Sequence, residues 1–453
     1  MKIITNKNFY KNIFAIAIPI TLQNLIVQAT SMMDSIMLGR ADNTGIFLSA
    51  SSLANQPFFI LSLATFGMAS AATVMTAQYW GKRDTKAIRE IIAIALKAAF
   101  VIAALVGLAV LIVPEAVMGI YTKEPQIIEA GAKYLRIIGY AYFTFGLSNT
   151  MICAIRSVEL VKVSVVANLS SFFINTGLNY LLIFGKGPFP AMGIEGAALA
   201  TLIARLTEFA ITFVYVLFID KRLAFRLRDM ISFNKVFAKD LFRYGSPVFI
   251  NELMWAVAIS MQSAILGHIT YTQGDPVAAN SIASMVQQLS TVVIFAVANA
   301  AAVIIGKSIG EGKKERALNE AYTFKYLAFV LGIAACAVIL LSKSFAIGFY
   351  TIPEETKALA SQLLTVVAFV TILVSTSSIY IVGILRAGGD TRFCLFMEMG
   401  ALWFFAIPLA IAGVILQLSV PIVLILMKMD EPVKTISMLI RMRNDKWLRS
   451  LTR

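Results

Sequence analysis

The strongest constraint on this chain is that its two halves repeat each other. The run 9–40 (FYKNIFAIAIPITLQNLIVQATSMMDSIMLGR) aligns without gaps on 237–268 (FAKDLFRYGSPVFINELMWAVAISMQSAILGH), pairing Phe9 with Phe237, Pro19 with Pro247, Ser35 with Ser263 and Gly39 with Gly267. Further on, Gly81 in QYWGKRD pairs with Gly310 in KSIGEGK, and Arg156 in CAIRSVE pairs with Arg386 in GILRAGG. The offset drifts by single residues, as small loop changes would cause. A repeat dictates architecture before any single residue does. Here the repeat unit is half the chain, and it is apolar.

The chain is 59% apolar and 14% charged, with a mean hydropathy of +0.80. Soluble domains carry about a quarter charged residues. Apolar runs long enough to span a bilayer recur throughout. They read as 12–37, 46–78, 88–113, 131–156, 160–185, 193–219, 240–267, 276–306, 319–341, 357–385, 393–412 and 413–428. Without water the backbone must pair within each span. The period-2 alternation of a barrel is absent, so the spans are helices. The expected fold is an all-α integral membrane protein with twelve transmembrane helices. Six spans per repeat return the chain to its starting side, so the two six-helix repeats are parallel. The N-terminal segment, basic and then apolar, resembles a secretory signal, but it is too long for one and recurs in the second half.

Charge sets orientation. The formal net charge is +14, yet its distribution excludes a nucleic-acid partner. With the N-terminus inside, the inner segments collect most lysines and arginines, from Lys2 and Lys7 through Lys82, Arg156, Arg386 and Lys434 to Arg453. The outer loops hold only Arg40, Lys123, Lys186 and Lys343. This bias places both termini in the cytoplasm of a multi-pass protein of the cell (plasma or inner) membrane. The organisation expected is an N-terminal lobe 1–219, a cytoplasmic linker 220–239, a C-terminal lobe 240–428 and a basic cytoplasmic tail 429–453. Linker and tail are basic and amphipathic and are expected to lie against membrane lipids, with Trp447 as an interface anchor. Cys153, Cys336 and Cys394 have no metal-like spacing and read as small apolar residues.

A charge at mid-membrane costs about 2.5–3.5 kcal/mol on insertion scales, so each needs a reason. Asp34 falls in the outer half of span 1 and has no basic residue at helical spacing. Glu252 falls near the middle of span 7. The two are not equivalent in the repeat: Asp34 matches Gln262, and Glu252 matches Asn24. Arg205 and Glu208 are three apart on span 6 and can pair. Lys97 and Glu398 lie near cytoplasmic ends and can snorkel. Asn168, Asn175 and Asn179 put a polar stripe on span 5. Such amide oxygens beside a carboxylate can pack neighbouring helices or coordinate a small hard cation. Pro19 and Pro247 each remove a backbone hydrogen bond and permit a bend at matching places, a pattern that points to a transport site. Methionines are plentiful, and a methionine-rich cavity tolerates many ligand shapes.

Taken together, MMDSIMLGR, QYWGKRD, GKSIGEGKKERAL, GIEGAALAT and GILRAGGDT resemble the multidrug and toxic compound extrusion (MATE) family over nearly the whole chain. The resemblance implies two six-helix lobes around a central cavity, alternating access, and export of small organic cations against inward H+ or Na+. It implies a coupling site formed by the acid on span 1, two residues one turn apart on span 5 and a threonine on span 6. Those fall on Asp34, Asn175, Asn179 and Thr201. Asn179 stands where some members carry aspartate, which lowers the charge and leaves H+ or Na+ open. The span-7 acid of the second lobe falls on Glu252. The acid that sodium-coupled bacterial members carry on span 10 is missing, because 375–380 offers only hydroxyls. Glu252, Gln28, Met254, Met261 and Gln287 are the candidates for a substrate or second cation site.

The expected function is a cation-coupled antiporter exporting cationic and amphipathic drugs, not an enzyme. No cofactor is expected beyond the coupling ion, no metal beyond Na+ at Asp34, and the chain is expected to act as a single copy. Two rivals remain. A lipid-linked precursor flippase of the wider superfamily needs a basic cavity for phosphate, and Arg205 has an acidic neighbour. A membrane-embedded transferase needs clustered aspartate or histidine at a membrane face, and the one histidine, His268, stands at a helix end. A channel fits buried acids in a duplicated fold less well.

Overall fold

Long apolar runs, punctuated by proline, glycine and aspartate, fold as helices. The computed structural model describes residues 3–42, 44–269, 274–350, 352–443 and 445–452. Lys2 and Arg453, counted above among the inner charges, lie outside them. Among the described residues there is no strand.

In the first half the helices are α1 (Lys7–Ala41), α2 (Ile46–Ala54), α3 (Gln56–Gly81), α4 (Thr85–Ile112), α5 (Pro114–Tyr121), α6 (Pro125–Ser157), α7 (Lys162–Phe184) and α8 (Gly193–Val214). The second half has α9 (Lys235–Gly267), α10 (Pro276–Gly310), α11 (Lys314–Gly348), α12 (Glu354–Ser378), α13 (Thr391–Ala401), α14 (Ile407–Ile415), α15 (Val420–Met427) and α16 (Asp430–Arg443). Three π-helical stretches, Tyr215–Ile219, Ile379–Leu385 and Leu402–Ala406, extend or interrupt them.

Local chemistry fixes the ends. Asp84 accepts the Ala87 N–H at 3.0 Å and caps α4. Asp275 accepts from Val277 and Ala278 at 2.8 and 3.1 Å and caps α10 ahead of Pro276. Gly185 closes α7 with φ +66°, a conformation that costs a side chain strain.

Ten described helical stretches are long and apolar enough to cross a membrane. The outward faces are apolar too: Leu341 and Phe404 are each 85% exposed, as lipid contact requires. This is a multi-pass membrane protein. With α7 and the α15–α16 pair, each half has six elements in the same order.

The last span differs from the expectation. The stretch 413–428 is not one helix. Helix α14 ends at Ile415, Gln417 takes φ +54°, and a new helix starts at Val420. Apolar residues flank the break on both sides, so hydropathy could not mark it. The final element then continues through α16, which falls in the stretch expected to be a basic cytoplasmic tail against membrane lipids. Asp430, Glu431 and Lys434 are buried, and Lys434 bridges the two carboxylates at 2.6 Å each. Trp447 is fully buried against Gly388 and is no interface anchor. The linker does expose apolar residues, Leu227, Ile231 and Phe233, beside its basic ones. Helix α9 begins inside it, at Lys235.

The chain divides into two compact units, 1–21 with 250–453, and 22–249. The crossover points fall two residues after Pro19 and Pro247. In the unit 22–249 the core gathers Leu38, Leu61, Tyr134, Tyr142, Ile183 and Ile194. In the other it gathers Ile339, Leu363, Leu364, Val423 and Met427.

Candidate functional site

The carboxyl that sequence singled out on α1 sits in a polar chain within the unit 22–249. Asn179 Nδ2 donates to Asp34 Oδ1 at 2.5 Å and to Asn175 Oδ1 at 3.1 Å. Asn175 Nδ2 donates to Thr201 Oγ1 at 3.1 Å. The four residues come from three helices. Asn175 and Asn179 are one turn apart on α7, so both side chains leave the same face. Thr201 answers them from α8, which packs closely along α7: a Cβ on Gly196 would meet the Leu182 backbone at 2.8 Å. Both asparagines are fully buried, and Asn179 Oδ1 has no partner. A buried acceptor left open beside a carboxylate is costly unless something fills it.

A cavity of about 380 Å³ opens on this chain. Asp34, Asn175 and Thr201 line it with Tyr134, Phe58 and Arg205. Arg205 Nη1 donates to Glu208 Oε2 at 2.7 Å, the pairing expected from their spacing. The guanidinium also lies 5.6 and 5.2 Å from the centroids of Phe58 and Phe145, so its charge is held between a carboxylate and two ring faces. Asn168 lines the cavity but spends its amide on the Ser164 carbonyl at 2.8 Å. Oxygen atoms from carboxylate, amide and hydroxyl are the ligands that a proton or a hard monovalent cation uses. Among the described residues no group of three or more His, Cys, Asp and Glu could hold a metal ion.

The other candidates are not gathered in this way. Gln28 is half-buried on α1, outside the cavity lining. Glu252 lies in the second unit and is paired: Arg386 Nη1 donates to its Oε1 at 3.0 Å. Gln287 Nε2 donates to Thr371 Oγ1 at 3.1 Å, tying α10 to α12. Met261 packs against Ala258, Leu402 and Ile407, and Met254 is half-buried. Among the described residues no hydrogen bond or ion pair joins Glu252, Gln287 and the two methionines.

Sequence reasoning placed Arg386 among the inner-surface charges and let Glu398 snorkel. Both are buried. Arg386 Nη2 lies 3.7 Å from Glu398 Oε2, and Asn251 Nδ2 donates to that oxygen at 2.5 Å. The signal was available: Arg156 and Arg386 are repeat partners, and Arg156 Nη2 likewise reaches the first helix of its half, at Gln23 Oε1 3.2 Å away. Lys97 donates to the Ser232 carbonyl of the linker at 2.8 Å.

A duplicated bundle of membrane-crossing helices with a carboxyl on the wall of an internal cavity is the build of a membrane transporter. Comparison with known proteins narrows the class. The family model MatE matches residues 19–181 and 248–412, and the chain belongs to that family. It is 25% identical to the uncharacterized transporter YisQ of Bacillus subtilis (strain 168), covering 96% of this chain and 95% of YisQ. It is 25% identical to the probable multidrug resistance protein NorM of Thermotoga maritima, covering 88% and 84% of the two chains. An outward-facing structure of a multidrug resistance MATE family transporter of the MOP superfamily superposes with a TM-score of 0.86 at 19% identity, over 96% of this chain and 95% of that one.

Proposed function

We propose that the protein is a cation-coupled antiporter that exports cationic and amphipathic compounds, with Asp34 as the coupling carboxyl. The observation that carries this reading is the chain Asp34–Asn179–Asn175–Thr201 on the wall of a polar cavity. The multidrug resistance names of relatives such as NorM supply the substrate class.

A carboxylate in that position is satisfied by the Asn179 amide. Adding H+ or Na+ neutralises it and leaves Asn179 free to turn its unpartnered oxygen toward the ion. The charge of the cavity wall therefore changes by one when the ion binds, and a cationic cargo senses that change directly. In alternating access the cavity meets one side of the membrane at a time. Ion uptake from outside favours release of cargo, and ion release inside restores the anionic wall. One charge moving through about 100 mV releases about 2.3 kcal/mol, enough for roughly a 50-fold gradient of a neutral solute. Pro19 and Pro247 give α1 and α9 the points at which to bend. We place the protein in the cell membrane with both termini inside, as a single copy, its linker against anionic lipid.

The test is drug efflux from vesicles holding the full chain, under separately imposed Na+ and pH gradients. Asp34→Asn is expected to abolish gradient-driven efflux and to weaken binding of cationic drugs, as the ion-loaded state does. The gradient that drives the wild type names the ion. Efflux unchanged in Asp34→Asn sinks the assignment, and lipid scrambling without efflux favours the flippase.

A further inference from the structure

The second unit holds a chemical counterpart of the Asp34–Asn179 pair at a position that the repeat does not predict. In the first unit Asn179 donates to Asp34 at 2.5 Å and keeps a buried, unpartnered Oδ1. In the second, Asn251 donates to Glu398 at 2.5 Å, is 4% exposed, and also keeps a buried, unpartnered Oδ1. The offset of 230 that pairs Arg156 with Arg386 sets Glu398 opposite Asn168, which lines the Asp34 cavity. An amide in one half is thus an acid in the other.

The neighbours of Glu398 neutralise it only in part. At the N-terminal end of its own helix α13, Asp390 is held by Arg441 of α16 at 2.7 Å, and within the helix Cys394 is a buried thiol. From α9 comes Glu252, a further acid. Arg386, which follows the π-helical stretch, bonds Glu252 at 3.0 Å and stands 3.7 Å from Glu398, beyond hydrogen-bond reach. From α16 comes Lys434, bonded to Asp430 and Glu431 at 2.6 Å each. Four carboxylates (Glu252, Glu398, Asp430, Glu431) thus face two cations (Arg386, Lys434). The two cations spend their closest contacts on the other three, and Glu398 is left with the Asn251 amide and the long 3.7 Å contact to Arg386. A charge that is only partly compensated in a low-dielectric interior is costly, and taking up a proton relieves that cost.

We propose that Glu398 is a second exchangeable proton site, with Asn251 as its switch. In the charged state the Asn251 amide donates to the carboxylate. When a proton from water binds a Glu398 oxygen, the new O–H donates to Asn251 Oδ1 after the amide turns over. The Asn251 N–H bond to the carboxylate breaks as the amide turns, the hydronium that supplies the proton is left as water, and no covalent bond of the protein breaks.

The role in coupling rests on the antiport reading, but the protonation does not and is measured without transport. The full chain, labelled with carbon-13 at the glutamate side-chain carboxyls and held in lipid nanodiscs, is titrated by NMR. One glutamate carboxyl is expected to change protonation in the range where surface carboxylates stay charged. Glu398→Gln should remove that signal, and Glu252→Gln should keep it. Asn251→Leu should move its midpoint, and this variant decides the matter if Glu398→Gln does not fold. If the wild type lacks the signal, if Glu252→Gln or Glu431→Gln abolishes it, or if Asn251→Leu leaves it in place, the proposal is wrong. In vesicles, Glu398→Gln with Asp34 intact is expected to lose part of the pH dependence of efflux.

Discussion

Arg386 holds Glu252 from 3% exposure, and such a residue cannot be removed alone without leaving charge behind. Losing one partner of a buried pair costs about 3–5 kcal/mol. Arg386→Met should therefore lower the melting temperature in detergent sharply. The double variant Arg386→Met with Glu252→Gln should recover part of the loss. If the single variant melts like wild type, the pair is not buried in the working protein. By contrast, Arg136 and Glu115 pair at the surface with both side chains more than half exposed, and Glu115→Gln should change nothing measurable. Asp42, outside the spans, belongs to another class. The Thr44 hydroxyl, then the Phe47 and Thr44 amides, donate to it and hold its carboxyl below the ordinary value. A lowered folded value means stability that is present above the ordinary pKa and lost as pH falls through the folded one. Relative to its intrinsic exchange rate, the Phe47 amide should lose protection on acidification in the wild type. Asp42→Ala should show that lower protection already at neutral pH, with no further acid effect.

At the scale of elements, close approach decides what is tolerated. The π-helical stretch Ile379–Leu385 lets Gly383 pack on α10 so tightly that a Cβ would stand 2.8 Å from Ala301 Cβ and 3.0 Å from the Ala298 carbonyl. One of those atoms is backbone and cannot step aside. Gly383→Val is expected to overpack the contact at a cost of about 1–3 kcal/mol or more. Thermal unfolding checks this, and unchanged stability would mean the helices are not so close. The same stretch leads directly to Arg386, so a π-helical register places the arginine that a plain α-helix would rotate elsewhere. The broken final element teaches a related lesson. Apolar residues on both sides of Gln417 hid one boundary, and self-neutralising charges at 430–434 disguised a buried helix as a tail.

For the whole molecule, composition settled class and repetition settled plan. Labelling of single cysteines placed near Lys7 and near Arg449 should find both on the same face of the membrane; opposite faces would remove the even-span argument. The carboxyl on α1 and the asparagine stripe were legible in the sequence because helical spacing alone sets which side chains share a face. Their meeting with Thr201 was implied by resemblance, since nothing in local spacing relates α7 to α8. Arg386, Glu398, Asn251 and Lys434 were not legible as a group. They are scattered over 184 positions, from Asn251 to Lys434; the three charged ones each have an adequate local explanation as a surface charge or a snorkelling end, and Asn251 carries no local signal at all.

By itself the sequence determined that this chain crosses a membrane as helices, twice over, because hydropathy and periodicity are sums over neighbours in the chain. Only the tertiary structure decided which charges face one another, because partners in a buried pair are chosen by packing between helices, across distances that no local pattern encodes.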